Sequence, residues 1–114
     1  MTLPLVLFGI AALGGIVMAI MRFSGKPVPP MPLALLHGAL AAIALVLLIM
    51  AVANAAGGSH TSLVALVLFL VAALGGFVLF TQHLRKGPLS IPLMVIHAVV
   101  AVAGFLTLLV AALG

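Results

Sequence analysis

Long apolar stretches alternate along the chain with short segments that collect its glycine, proline and polar residues. The apolar runs are Leu3–Met21, Leu33–Val52, Leu63–Phe80 and Leu93–Leu113. Each has roughly 18–21 residues, which at ~1.5 Å per residue crosses a ~30 Å hydrocarbon layer as a helix. The connections, Arg22–Pro32, Ala53–Ser62 and Thr81–Pro92, are short, so consecutive helices are expected to be antiparallel neighbours. The pattern predicts an all-α, integral membrane four-helix bundle forming a single transmembrane domain over residues 1–114. Pro27, Pro29, Pro30 and Pro32 precede or open the second run, and Pro88 and Pro92 do so for the fourth. Proline is tolerated there because a first-turn N–H has no intrahelical partner.

Composition sharpens this picture. The chain is 68% hydrophobic and 4% charged, contains no Asp or Glu, and has a mean hydropathy of +1.64, which excludes a soluble globular domain. Without carboxylates there is no carboxylate acid–base pair, no magnesium or calcium site, and no side-chain acid to couple a proton gradient. With no cysteine, thiolate metal sites and disulfides are also excluded. The net charge of +4 comes from Arg22, Lys26, Arg85 and Lys86, too few for a nucleic-acid-binding face. All four lie in the first and third connections, so the positive-inside rule puts these loops in the cytoplasm and both termini outside. A bacterial inner membrane is the expected location. The first run has no basic residue ahead of it and no small-residue cleavage pattern, and reads as a retained span rather than a signal peptide.

The two halves resemble each other. Phe8 and AALGG at 11–15 match Phe69 and AALGG at 72–76 with an offset of 61, while PLALLHG at 32–38 matches PLMVIHA at 92–98 with an offset of 60. Two motifs in the same order at nearly the same spacing predict tandem two-helix repeats, 3–56 and 63–114. Both copies would enter the membrane in the same direction, with a pseudo-twofold axis along its normal. Inverted-repeat transporters use the opposite arrangement.

The repeat brings His37 and His97 to equivalent positions, five residues after Pro32 and Pro92 and therefore roughly 7 Å into their spans. An ionisable residue inside a membrane helix is by default a functional candidate. Helical spacing continues from His37 through Ala41, Ala44 and Leu48, and from His97 through Ala101, Gly104 and Leu108. Gly14, Gly15, Gly75 and Gly76 are expected at about the same depth in the other two spans. Small residues at one level in every helix leave room either for close packing or for a flat ligand. Two imidazoles facing such a gap suit bis-histidine ligation of haem iron, with His37 and His97 as metal ligands and the small residues as walls. The haem propionates would find Arg22, Lys26, Arg85 and Lys86 at the basic rim, with His83 as a further candidate beside them. His60 is expected to be solvated and His83 to be an interfacial residue.

On PLALLHG, PLMVIHA and the two Gly-Gly pairs, the chain resembles small membrane-bound b-type cytochromes. It departs from the diheme type in carrying one histidine on each ligand helix. The resemblance implies one haem b per chain and one-electron transfer, as a membrane oxidoreductase or electron-transfer component, with a quinone or another membrane redox partner. The ligands could come from one chain or be presented across a homo-oligomer. Two other functions are open: a small transporter or channel gated by the histidine pair, and a structural subunit that packs against a larger membrane complex through its Ala/Gly faces; in a purely structural role the histidines would only hold the bundle together.

Overall fold

The computed structural model describes residues 1–54 and 59–114; Ala55–Gly58, inside the expected second connection and including the end of the expected first repeat, lie outside the described residues. The chain forms four helices: α1 Thr2–Phe23, α2 Met31–Ala53, α3 His60–Leu84 and α4 Ile91–Leu113. All four are long and apolar enough to cross a membrane. Their outer surface is apolar as well. Leu13, Leu74 and Phe77 are 64%, 65% and 69% exposed, whereas the fully enclosed side chains are few. That distribution is unfavourable in water and natural against lipid.

α1 packs chiefly on α2 and α3 on α4, with α1–α4 and α2–α3 as the lesser contacts. The apolar core has two parts. One joins Phe8, Ala44, Leu48, Ala65, Phe69 and Leu108 in the half nearer the termini. The other joins Leu79, Leu89 and Met94 at the end that carries the basic connections. In the first part Phe8 and Phe69 stack with ring centroids 3.7 Å apart and planes 1° from parallel, joining α1 to α3 across the bundle.

The helices run past the apolar windows at several ends. α3 starts at His60 because Ser59 and Ser62 form a reciprocal cap: the Ser59 hydroxyl accepts from the Ser62 N–H at 3.0 Å, and the Ser62 hydroxyl accepts from the Ser59 N–H at 2.8 Å. α1 and α3 continue to Phe23 and Leu84 before Gly25 (φ +104°) and Lys86 (φ +56°) turn the chain into the left-handed region. The two basic connections are then joined to each other. The Leu89 N–H donates to the Pro27 carbonyl at 3.0 Å, and the Arg22 Nε–H donates to the Leu89 carbonyl at 2.9 Å.

Candidate functional site

Between the two parts of the core lies a cavity of about 700 Å³, within the size range of small-molecule and cofactor sites. His37 from α2 and His97 from α4 stand on its wall, half-buried, with ring centroids 6.4 Å apart and planes at 78°. Above and below them the lining is apolar, including Phe8, Phe69, Leu79 and Met94. The cavity reaches the outer surface beside the exposed side chains of Ile16, Leu35, Phe77 and Val102, so its mouth opens on apolar surface.

Each imidazole is oriented by the helix preceding its own. His37 Nδ1 lies 2.7 Å from the Ala11 carbonyl, and His97 Nδ1 lies 2.7 Å from the Ala72 carbonyl. A carbonyl can only accept, so Nδ1 carries the proton in both rings and, in the neutral form, Nε2 keeps its lone pair. The rings lie against glycine. A Cβ added at Gly15 would be 3.0 Å from His37 Cε1, and one at Gly76 would be 3.2 Å from His97 Cε1. At Gly14 and Gly75 the nearest approach is to the histidine Cβ, at 3.7 and 3.5 Å. The glycine pairs thus seat the imidazole of the adjacent helix. Of the four, only Gly15 and Gly76 also line the cavity. Ala41 and Ala101 line it too, as the stripe from each histidine requires, while Ala44, Gly104, Leu48 and Leu108 continue the stripes into the buried core.

The basic residues lie at the end of the bundle that carries the first and third connections. Lys26, Arg85 and Lys86 are exposed, Arg22 is half-buried with its Nε–H on the Leu89 carbonyl, and none of the four lines the cavity. His83 does. It is not an interfacial side chain, because the joined connections close over it and leave it 8% exposed. Its Nε2–H donates to the Pro29 carbonyl at 2.7 Å, its ring stacks against Phe80, and its Nδ1 has no hydrogen-bond partner among the described residues. The sequence held a signal for this position. His83 stands 61 residues after Arg22, and Leu89 stands 60 after Pro29, so the bonds Arg22–Leu89 and His83–Pro29 occupy matching places. His60 is exposed, as expected of a solvated residue.

Among the described residues no group of three or more His, Cys, Asp or Glu could hold a metal ion. Two imidazoles alone leave a bare zinc ion two ligands short of its usual four. They suffice for a metal whose other ligands come with it in a macrocycle. No protein-family model, curated protein or solved structure matches the chain.

Proposed function

We propose that this chain is a membrane haem b-binding protein that ligates one haem through His37 and His97 and serves one-electron transfer. The observation that carries the proposal is the histidine pair on the wall of an apolar cavity, each ring donating Nδ1–H to a helix carbonyl and keeping Nε2 free. Histidines that bind metal almost always donate their other ring N–H to a carbonyl, carboxylate or water, which fixes tautomer and orientation. The two rings also stand close together, with centroids 6.4 Å apart. His37 and His97 would hold the haem iron, with Gly15, Gly76, Ala41 and Ala101 as walls. Haem so held supplies reversible one-electron chemistry. Both ligands come from one chain, which favours one haem per chain over a site shared in a homo-oligomer. A quinone or another membrane redox partner is the counterpart implied by the resemblance.

The finer architecture belongs to the same proposal. Recurrence of the His–carbonyl bond, the Gly–His seat and the Arg22/His83 bonds at offsets of 60 or 61 supports a duplicated two-helix unit with a pseudo-twofold axis along the membrane normal. The four cations at one end support placing that end in the cytoplasm of a bacterial inner membrane.

A second reading draws on the same hydrogen bonds. His37–Ala11 ties α2 to α1 and His97–Ala72 ties α4 to α3, which is what purely structural histidines would do. Spectroscopy separates the two. In the haem reading, detergent-purified protein shows a Soret band and a sharp α band on reduction, and His37→Ala or His97→Ala abolishes both. Protein that stays colourless after expression with ample haem, and after haem is added, refutes it and leaves the structural role.

A further inference from the structure

We propose that the cavity is loaded sideways from the bilayer, through the cleft between α2 and α3 at Gly38 and Ala42, a route that suits a flat ligand soluble in lipid. The proposal rests on the haem reading for the ligand's identity; the route itself stands on the walls of the cavity. Most of those walls are closed. At the end with the basic connections, Pro29, His83 and Leu89 line the cavity and are tied down: the His83 Nε2–H donates to the Pro29 carbonyl, and Leu89 is bonded to Pro27 and Arg22. Toward the termini the stacked rings of Phe8 and Phe69 and the enclosed side chains of Leu48 and Leu108 fill the bundle. Between α1 and α2, and between α3 and α4, each imidazole is bonded to a carbonyl and seated on glycine. Two clefts remain, α1–α4 and α2–α3, where the helices pack less extensively.

The likeness of the two halves breaks down where these clefts meet the cavity. α2 lines it with Gly38, Ala42 and Leu45, whereas α4 places the larger Ala98, Val102 and Phe105 at the positions 60 residues on. The Phe105 ring comes within 3.6 Å of where a Cβ at Gly9 would stand, so it bridges the α1–α4 cleft. At Gly38 a Cβ would meet nothing within 4 Å, although the residue borders the cavity and is exposed. Glycine inside a helix is less stable than alanine, and no neighbour requires it there. What the missing side chain leaves is clear passage beside His37. Ala42, also exposed, carries the opening on to a shallow apolar groove along α2 past Val46 and Leu47. Across the cleft stands Phe77, 69% exposed. An exposed side chain changes rotamer on the picosecond to nanosecond scale, so this ring does not bar the way. A route opening on apolar surface spares an apolar ligand any passage through water.

The chain has no cysteine, so a single one can be introduced and modified after folding. Gly38→Cys and, at the other cleft, Ala98→Cys are prepared haem-free as full-length protein in phosphatidylcholine nanodiscs, with and without N-cyclohexylmaleimide. Haem uptake is followed by the Soret band in stopped flow, and uptake of metal-free protoporphyrin IX by fluorescence. Modification at position 38 is expected to slow both at least about tenfold, because entry then waits for the helices to part. Modification at position 98 should leave both rates unchanged. Added after haem has bound, the reagent at position 38 should leave the bis-histidine spectrum in place and slow haem release. Should the cysteine at position 38 resist the reagent, Gly38→Phe takes its place; its ring enters open space, and circular dichroism confirms the fold. Uptake indifferent to the group at position 38, equal slowing from position 98, or loss of the bis-histidine spectrum when loaded protein is modified each overturns the proposal. Haem that enters with a bis-histidine spectrum at a rate indifferent to position 38 leaves the haem reading intact while the route fails. Slowed uptake of metal-free porphyrin at position 38, without a bis-histidine spectrum for haem, does the reverse. Uptake of neither ligand overturns both.

Discussion

Gly14 and Gly15 are neighbours in one helix, yet alanine at the two positions should act in opposite directions. An added methyl at Gly14 meets His37 Cβ at 3.7 Å, an ordinary van der Waals contact in the range of ~3.5–4.0 Å. That substitution gains about 0.5–1 kcal/mol from restricting the unfolded chain and suffers nothing in return. At Gly15 the methyl would stand 3.0 Å from His37 Cε1, short of contact by about 0.5–1 Å. The ring cannot simply retreat, because its Nδ1–H is bonded to the Ala11 carbonyl at 2.7 Å. A shift of about half an ångström takes that bond to the edge of its useful length. Overpacking of this kind costs about 1–3 kcal/mol, so the two variants should differ by about 1–3 kcal/mol, with Gly15→Ala the less stable. Gly76→Ala should follow Gly15→Ala in milder form, since its closest contact is 3.2 Å. Equilibrium unfolding in mixed micelles, followed by circular dichroism, measures the difference. In the haem reading Gly15→Ala also weakens haem binding, because it displaces a ligand ring, while Gly14→Ala does not. Equal stabilities for the two variants would refute the seat assigned to the imidazole.

The other predictions concern the helix ends and the core, and the same unfolding assay reads them. Lys86 holds φ at +56°, a left-handed conformation that costs side chains about 1 kcal/mol relative to glycine, so Lys86→Gly should stabilise by about 0.5–1 kcal/mol. Gly25→Ala should destabilise by at least about 1 kcal/mol, since φ +104° suits glycine alone. Ser59→Ala removes one half of the cap on α3 and should cost about 1 kcal/mol, with fraying seen as faster amide exchange near His60–Ser62. Leu48→Ala empties a fully enclosed position, but lipid tails are as apolar as the core, so only the packing loss remains and the cost should be about 1–2 kcal/mol rather than the ~2–5 kcal/mol of a soluble core.

The four spans were legible because a run of apolar residues long enough to cross a bilayer admits few other structures. Their ends were not. His60, Thr61 and Ser62 read as loop, but the Ser59–Ser62 cap carries the helix through them. Arg22 and the stretch Thr81–His83 also read as loop, yet α1 and α3 include them, and Thr81 satisfies its hydroxyl on the Phe77 carbonyl within its own helix. Hydropathy reports what a segment would rather not expose; hydrogen bonding and backbone turning decide where it stops being helical. The stripes from His37 and His97 were readable from helical spacing, because spacing fixes which residues share a face. What fills a gap beside such a face was not readable. Gly14–Gly15 and Gly75–Gly76 suggested room beside that face; the imidazole of the adjacent helix lies against each pair, and Gly15 and Gly76 line the cavity as well. His83 was misjudged for a related reason: its sequence neighbours Gln82 and Arg85 suggest an interface, while a connection far away in sequence covers it.

The absence of acids bears on the chemistry of the histidines themselves. In a chain without Asp or Glu, a polar side chain inside the bundle has backbone carbonyls as its main acceptors, and Arg22, His37, His83 and His97 all use them. A carbonyl orients an imidazole as well as a carboxylate does, but brings no negative charge to favour imidazolium. The neutral ring therefore keeps a lone pair on the nitrogen opposite the carbonyl bond. That nitrogen is Nε2 in His37 and His97 and Nδ1 in His83, since the bonded atom differs. In the haem reading, a lone pair held this way in His37 and His97 suits a borderline metal such as iron. The composition and the hydrogen-bond pattern thus point the same way, toward the imidazoles of His37 and His97 fixed by backbone carbonyls on the wall of an apolar cavity.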